Sequence, residues 1–246
     1  MTETVVIDCF PSSVARYVDD HAIVAVDVIR ATTMAVTAVA AGRRCVVAAD
    51  LQDAFAIRDR IGNVVLAGEL GGDMPQGFDM NNSPAELAQR GEVHRPLVML
   101  SSLGTQLMLE AGRSANGAYV ACFRNFGAVA RHLVANRGRV ALIGAGSRGE
   151  FREEDQMCCA WLAGILVKAG YRPVNAQTTE IIERWSGAPA TACETGNSVA
   201  YLRRSGQLHD FDFVTAHVDD LDIVCSVDGN EVRPWPHLPR FTAAAD

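Results

Sequence analysis

The sequence has no excess of basic residues. Lys and Arg number 22 against 29 Asp and Glu in 246 residues, which gives a formal net charge of −7. A nucleic-acid-binding surface needs spare cations to neutralise phosphates, so the charge argues against nucleic-acid partners. Any anionic ligand must be met by local groups or by a bound cation.

Long apolar runs are also missing. No stretch approaches the roughly 20 residues that cross a bilayer, and the first residues, MTETVVIDCF, lack a basic segment followed by a long apolar one. We therefore expect no membrane partner and place the protein in the cytoplasm. The seven cysteines agree with a reducing compartment, because they are odd in number, lie in apolar contexts and lack paired metal-ligand spacing.

The chain lacks a Pro/Gly/Ser-rich linker, a low-complexity tract and an internal repeat. Hydrophobic residues make up 49% and charged residues 21%, the balance of a globular protein. The length suits a single α/β catalytic unit over residues 1–246, either as one body or as two closely packed lobes. A homo-oligomer is compatible with the sequence, which does not indicate its size.

Short β-branched runs alternate with helical patterns along most of the chain. This order predicts an α/β fold in which a largely parallel or mixed sheet is covered by helices on both faces, as α/β/α layers. The predicted strands are Thr4–Phe10, Ala22–Ile29, Cys45–Ala49, Val64–Gly68, Pro96–Ser102, Ala118–Phe123 and Arg139–Gly144. The predicted helices are Ala31–Ala41, Leu51–Ile61, Gly104–Ala111, Phe126–Ala135 and Glu153–Ala169.

The C-terminal third has a different pattern. Helix-like segments at Thr178–Trp185, Ser198–Ser205 and Phe211–His217 lead to a terminal segment, Asp222–Val232. Within it, Asp228–Asn230 has the composition of a hairpin turn. This part is therefore predicted to add an antiparallel edge to the sheet.

Familiar catalytic motifs are absent. The chain has no D-x-D-x-T loop, Cys-x₅-Arg, Arg-His-Gly, H-E-x-x-H or G-K-[ST] signature. A G-x-G-x-x-G pattern does occur at Gly144, Gly146 and Gly149, between a strand and a helix. A dinucleotide site also needs an acidic residue at the end of the next strand, which is missing, and the acidic residues after Gly149 would crowd a pyrophosphate. Nicotinamide or flavin binding is therefore disfavoured.

Small and polar residues cluster where the predicted strands end. Glycine lets backbone N–H groups approach a ligand, a helix N-terminus favours an anion, and hydroxyls and amides complete the contacts. Each such loop, taken alone, is equally typical of an ordinary turn or helix cap. As a set they predict an anion site formed by Asn82, Ser83, Ser101, Ser102, Gly104, Thr105, Asn125, Gly144, Gly146 and Ser147.

Carboxylates follow the same strands. Asp27 interrupts the apolar run HAIVAVDVI, and a carboxylate there needs a cation or several donors. Arg30 could be that partner, in which case the pair would be structural. Glu69 follows the run VVLAG, and the acidic residues near Glu154 could simply favour a helix N-terminus. The alternative is a Mg²⁺ site formed by Asp27, Glu69, Glu154 and Asp155.

Taken in order, these segments resemble the 2-phosphosulfolactate phosphatase family. The matching segments cover about half the chain and are Asp27–Thr33 (DVIRATT), Gly68–Gly72 (GELGG), Gly77–Pro84 (GFDMNNSP), Gly104–Thr105, Asn125 and Gly144–Asp155 (GAGSRGEFREED). A weaker similarity continues through Asn197–Asp220.

The resemblance implies a Mg²⁺-dependent hydrolase of phosphate monoesters that converts (2R)-2-phospho-3-sulfolactate into 3-sulfolactate and phosphate. It implies catalytic roles for Asp27, Arg30 and Glu69, with a carboxylate that orients water and Arg30 on the transition-state charge. An aspartyl-phosphate on Asp27 is the alternative mechanism. Two other functions stay open: hydrolysis of another phosphorylated hydroxy acid or a sugar phosphate, and non-catalytic binding of a small anion.

Two positions depart from the family pattern. Leu70 stands where the pattern has Arg, and Leu103 where it has Asn. If both side chains faced the ligand, a sulfonate or carboxylate would lose a cation and an amide. The departures leave the phosphatase prediction in place and weaken the prediction of the substrate.

Overall fold

The computed structural model describes residues 3–235, so residues 1–2 and 236–246 of the predicted unit lie outside the described residues. The described part contains ten strands, which join one sheet in the order β4-β5-β3-β10-β9-β6-β2-β7-β1-β8. Their bounds are Thr4–Cys9 (β1), Ala22–Val26 (β2), Cys45–Val47 (β3), Val65–Gly68 (β4), Leu97–Leu100 (β5), Ala118–Ala121 (β6), Arg139–Gly144 (β7), Arg172–Pro173 (β8), Cys225–Asp228 (β9) and Glu231–Pro234 (β10).

Helices connect most of the strands. They are Ala31–Ala40 (α1), Leu51–Ile61 (α2), Pro84–Ala88 (α3), Gly104–Ala111 (α4), Phe126–Asn136 (α5), Glu153–Lys168 (α6), Ala176–Trp185 (α7), Asn197–Arg204 (α8) and Leu208–Ala216 (α9). Short 3₁₀ helices lie at Pro11–Arg16 and Ala190–Cys193. No helix within residues 3–235 is long and apolar enough to cross a membrane.

Alternate residues of the strands face opposite layers. In β1, Val5 and Ile7 pack with α5, α6 and α7, whereas Val6 packs with α1 and α4. A smaller core beneath α2 covers the other face of β3, β4 and β5. Helices thus cover both faces of a mixed sheet, which confirms the predicted α/β class and its layers.

The C-terminal hairpin occupies the centre of the sheet. Its strands β9 and β10 are antiparallel, as predicted, and Gly229 makes the turn with a left-handed φ of 61°. The predicted position at an edge is corrected, because β10 pairs with β3 and β9 pairs with β6. The hairpin therefore joins two sets of parallel strands.

These two sets run in opposite directions. Strands β3, β4 and β5 are mutually parallel, and so are β6, β2, β7, β1 and β8. Three successive antiparallel pairings separate β3 from β6, so the sets are antiparallel to each other. In a flat sheet, the loops after β2 and after β4 would lie at opposite edges. A twist of roughly 20–25° for each neighbouring pair turns the two sets toward each other.

Candidate active site

Loops from both sets of parallel strands line one cavity. It has a volume of about 450 Å³. Loops after β2 and β7 line it from one set, loops after β4 and β5 line it from the other, and α8 also contributes. Its charged lining residues are the carboxylates of Asp27, Glu69, Glu150 and Asp155 and the guanidiniums of Arg30, Arg148, Arg152 and Arg204.

Asp27 lies at the end of β2, one residue beyond the strand. Its Oδ1 accepts a hydrogen bond from the Ala31 backbone N–H at 3.2 Å, and its own N–H donates to Thr32 Oγ1 at 2.9 Å. These bonds close the turn that leads into α1. The N-terminus of α4 approaches the same carboxylate so closely that a Cβ on Gly104 would come 2.1 Å from Asp27 Oδ2. Glycine at position 104 is what allows the approach.

Asp155 reaches the cavity from the first turn of α6 and is 3% exposed. Its Oδ1 accepts from the Val28 N–H at 2.8 Å and its Oδ2 from the Gly146 N–H at 3.4 Å. The carboxylate thereby ties the loop after β7 to the loop after β2. Glu154 is 1% exposed, does not line the cavity, and has an Oε2 without a hydrogen-bond partner in the described chain.

The pKa values of Asp27, Glu154 and Asp155 are all raised. Burial raises the pKa of Asp27 to about 7, and the charges of Glu69 and Glu154 act in the same direction. Burial also raises the pKa of Asp155, and the negative charges of Asp27 and Glu154 add to the effect. The pKa of Glu154 is raised chiefly by burial. Closely placed carboxylates of this kind favour a proton or a cation between them.

Glu69 organises its own loop. Its Oε1 accepts from the Ser102 N–H at 2.7 Å, and its Oε2 accepts from the Gly72 N–H at 2.7 Å and from Ser102 Oγ at 3.0 Å. The carboxylate thus links the loops that follow β4 and β5. Glu69 and Asp27 follow strands that are far apart in the sheet, because five strands separate β4 from β2.

Arg30 is an ion-pair partner of Asp210 rather than of Asp27. Its Nη1 donates to Asp210 Oδ2 at 2.7 Å and to Gln207, and its Nη2 donates to Asn81 Oδ1 at 3.2 Å. The Arg30 side chain is 4% exposed and that of Asp210 is fully buried. The guanidinium nevertheless lines the cavity. The alternative in which Arg30 forms a structural ion pair with Asp27 is therefore not found, because Asp210 is its ion-pair partner.

Four of the ten predicted anion-binding residues line the cavity: Asn82, Ser102, Gly146 and Ser147. Asn82 is 2% exposed, and its Oδ1 has no hydrogen-bond partner within residues 3–235. An amide in this state has unused capacity to bind a ligand.

The other six lie behind the wall and have structural contacts. Ser101 and Thr105 bond to each other around the start of α4, and Ser83 caps α3 and donates to Asp210 Oδ1 at 2.6 Å. Asn125 Oδ1 accepts from the Cys122 N–H at 3.0 Å, at the end of β6. Gly104 and Gly144 provide space, the first for Asp27 and the second for Phe151. A direct ligand contact, as predicted for these six, does not follow from their positions.

Helix α8 provides a wall that the sequence interpretation missed. Asn197, Tyr201 and Arg204 lie at spacings i, i+4 and i+7, so one helical face is turned to the cavity. Tyr201 Oη donates to the Gly72 carbonyl at 2.6 Å and thereby contacts the Glu69 loop. The spacing is visible in the sequence, but nothing local shows which element this face covers.

The side chains at the cavity suit a Mg²⁺ site in which two protein carboxylates, Asp27 and Asp155, are the metal ligands. Within residues 3–235, no group of three or more His, Cys, Asp or Glu side chains is arranged around a metal position. Of the four metal ligands predicted from the sequence, Asp27, Glu69 and Asp155 line the cavity and Glu154 does not, so the full set stays a prediction. Asp27 and Asp155 both line the cavity, and their hydrogen bonds in the described chain come from backbone N–H groups. Mg²⁺ in phosphate sites commonly takes one or two carboxylates, with waters and phosphate oxygens as the other ligands.

Comparisons with known proteins identify similar chains. A family model described as 2-phosphosulpholactate phosphatase matches residues 10–230. A probable 2-phosphosulfolactate phosphatase of Deinococcus radiodurans is 31% identical over 230 residues, which cover 92% of this chain and 94% of the relative. Proteins with the same name from Gloeobacter violaceus and Synechococcus sp. (strain WH7803) are 32% and 30% identical, over 90% and 87% of this chain and 88% and 89% of their own lengths.

Proposed function

The chain belongs to the 2-phosphosulpholactate phosphatase family, which confirms the resemblance of its loops, and we propose on this basis that it is a Mg²⁺-dependent phosphatase of 2-phosphosulfolactate. The observation that carries this proposal is the cavity that Asp27, Asp155 and Arg30 line together. The two carboxylates suit a divalent cation and the guanidinium suits a phosphoryl group. The proposed compartment is the cytoplasm, which the seven buried, unpaired cysteines support.

Different residues of the cavity have different roles in the proposed phosphoryl transfer. Asp27 and Asp155 would hold Mg²⁺, which when bound supplies positive charge to the phosphoryl oxygens. Arg30 stabilises the same oxygens with an orientation fixed by Asp210, and the Gly146 and Ser147 loop offers polar contacts from the end of the neighbouring strand β7. A carboxylate on the cavity wall accepts a hydrogen bond from the attacking water and orients it.

Phosphate release tests the proposal. We expect release from 2-phosphosulfolactate that requires Mg²⁺, and a loss of kcat/KM of about 10²-fold or more in Asp27→Asn and Asp155→Asn. Asp222→Asn is the matched control, because the Asp222 side chain is 89% exposed and does not line the cavity. Release only from other esters would move the substrate to another phosphorylated acid or a sugar phosphate. No release from any ester would leave a binding protein for small anions.

The stereochemistry at phosphorus separates the two mechanisms. We would follow the hydrolysis of a chiral, ¹⁷O-labelled phosphorothioate ester in ¹⁸O-labelled water. Direct attack by water inverts the configuration at phosphorus, whereas attack by Asp27 followed by attack of water on the aspartyl-phosphate inverts it twice and retains it. The configuration of the released thiophosphate therefore decides between water and Asp27 as the nucleophile.

A further inference from the structure

The arginines on the cavity wall fall into two groups. Arg30 is bound to Asp210, and Arg152 Nη1 donates to Glu150 Oε2 at 2.6 Å. Arg148 and Arg204 are exposed, and neither guanidinium forms a hydrogen bond or an ion pair with any residue of the described range 3–235. Their guanidiniums retain all their donors for a ligand.

The backbone under both free arginines is fixed. Arg148 lies in the turn from Ser147 to Glu150, which two backbone hydrogen bonds of 2.9 Å close. Glu150 Oε2 also accepts from Asn197 Nδ2 at 2.8 Å, so the turn is attached to the first residue of α8. Arg204 is the last residue of the same helix. The two cations therefore approach the cavity from opposite ends of α8.

Arg148 and Arg204 differ in exposure from the residues proposed to bind the phosphoryl group and Mg²⁺. Arg30 and Asp155 are 5% and 3% exposed, so the phosphoryl group belongs deep in the cavity. Arg148 and Arg204 are exposed and therefore lie at its mouth. A small organic phosphate held at the floor extends the rest of its carbon skeleton toward the mouth.

The charge of the wall explains why cations are needed there. Four carboxylates and four arginines line the cavity. Without the two free arginines the wall would be net negative, and it would repel a substrate that carries acid groups in addition to phosphate. Arginine binds planar or tetrahedral oxyanions through two parallel hydrogen bonds, which suits both carboxylate and sulfonate.

We propose that Arg148 and Arg204 form a second anion subsite, which binds the carboxylate or sulfonate that the substrate carries beyond its phosphate. This inference rests on the proposed phosphatase function and assigns the part of the site that selects the substrate. It also bears on Leu70 and Leu103, the two residues that differ from the family pattern. Leu70 is 40% exposed and does not line the cavity, while Leu103 does. The cations for the acid groups come from the turn after β7 and from α8, so the loss of an arginine at position 70 leaves the subsite intact.

The test compares four esters in wild type, Arg148→Ala, Arg204→Ala and the double variant. The esters are 2-phosphosulfolactate, with both acid groups; 2-phospholactate, with the carboxylate; 2-(phosphonooxy)ethanesulfonate, with the sulfonate; and ethyl phosphate, with neither. Each single substitution should lower kcat/KM for the acid-bearing esters about tenfold, mainly through KM, as expected for one charge-assisted contact. Ethyl phosphate should be hydrolysed as in wild type. The carboxylate and sulfonate esters show which acid group each arginine binds.

Arg203→Ala is the matched control. Arg203 precedes Arg204 on α8, is similarly exposed, and faces Glu194 at 3.7 Å instead of the cavity. It should leave all four esters unaffected. Arg148→Lys and Arg204→Lys should recover part of the loss, because they keep the charge without the paired donors.

An equal loss for all four esters, or no loss for any, would overturn the subsite. Calorimetric binding of the free acids, sulfolactate and lactate, to the Mg²⁺-loaded protein provides a second measurement. If wild type released no phosphate from any ester, the proposed function would fail. Weaker binding of these acids to the two alanine variants, with normal binding to Arg203→Ala, would still support the subsite, and unchanged binding would refute it.

Discussion

Substitution of Asp210 by Asn tests how Arg30 is held at the cavity. Asp210 is fully buried and accepts from Arg30 Nη1 at 2.7 Å, from Ser83 Oγ at 2.6 Å and from the Ala85 N–H at 3.2 Å. Asparagine has nearly the same shape, and its Oδ1 can keep the bonds from Ser83 and Ala85. Its amide NH₂ would then face a guanidinium, so a donor meets a donor and the Arg30 charge loses its counter-charge.

The cost follows from burial. Removal of one partner from a buried ion pair destabilises a protein by about 3–5 kcal/mol, whereas an exposed pair contributes about 0–1 kcal/mol. For a chain of this length, each kcal/mol shifts Tm by roughly 2–4 °C. We therefore expect Asp210→Asn to lower Tm by about 6–20 °C. Asp222→Asn breaks the ion pair with Arg131. The Arg131 side chain is 59% exposed and that of Asp222 is 89% exposed, so this substitution should change Tm little.

A double variant separates stability from function. Arg30→Met with Asp210→Asn removes the stranded charge, and it should recover most of the lost stability because the site becomes neutral. Phosphatase activity should stay low, since the guanidinium on the cavity wall is gone. Urea unfolding and phosphate release on the same samples provide both values. A single variant as stable as wild type, or a double variant no more stable than the single one, would refute the argument.

Three further predictions concern the same cavity. Gly104→Ala should abolish most activity and destabilise by about 1–3 kcal/mol, because its Cβ would collide with Asp27 Oδ2, whereas Gly91→Ala, with open space around it, should do neither. Tyr201→Phe removes the 2.6 Å bond to the Gly72 carbonyl and should raise KM at a stability cost of about 1 kcal/mol; an unchanged KM would show that the Glu69 loop stays in place without it. The third prediction concerns pH. The pKa of Asp27 is raised to about 7 in the folded protein, against roughly 3.9 in an unfolded chain. The protonated carboxyl therefore stabilises the metal-free fold at low pH, and this stabilisation is lost as the pH rises through about 7. Asp27→Asn should therefore show a smaller fall in Tm than wild type as pH rises from about 5 to about 8, and an equal fall would contradict the shift.

The sequence predicts the elements well because their patterns are local. Every predicted strand and helix is present, and most ends agree within two residues, as for the strand predicted at Val64–Gly68 and found at Val65–Gly68. The helix predicted at Phe211–His217 begins three residues earlier, at Leu208. Alternating apolar residues and the 3.6-residue period carry this information within a single element.

The site is predicted only in part because its contacts are distant in sequence. The sequence predicts Asp27 from its position at the end of a strand and Asp155 from its position in the first turn of a helix. The ion-pair partner of Arg30 lies 180 residues away, and no local pattern in the sequence identifies it. Glu69 was correctly placed at the end of a strand, but its hydrogen bonds to Ser102 depend on how two loops meet. Nothing in the local pattern of either loop encodes that contact.

The direction of the strands explains why the C-terminal third is needed for the site. If all the parallel strands shared one direction, the loops after β2 and β4 would meet at one edge without further help. The hairpin of β9 and β10 instead reverses the first set relative to the second, and the sheet must twist across it to bring the loops after β2 and β4 to one cavity. Helices α8 and α9 then close the cavity and hold Arg30, through Tyr201 and Asp210. The glycine and acidic loops of the first 155 residues therefore form this cavity only together with α8, α9 and the hairpin that pairs at the centre of the sheet.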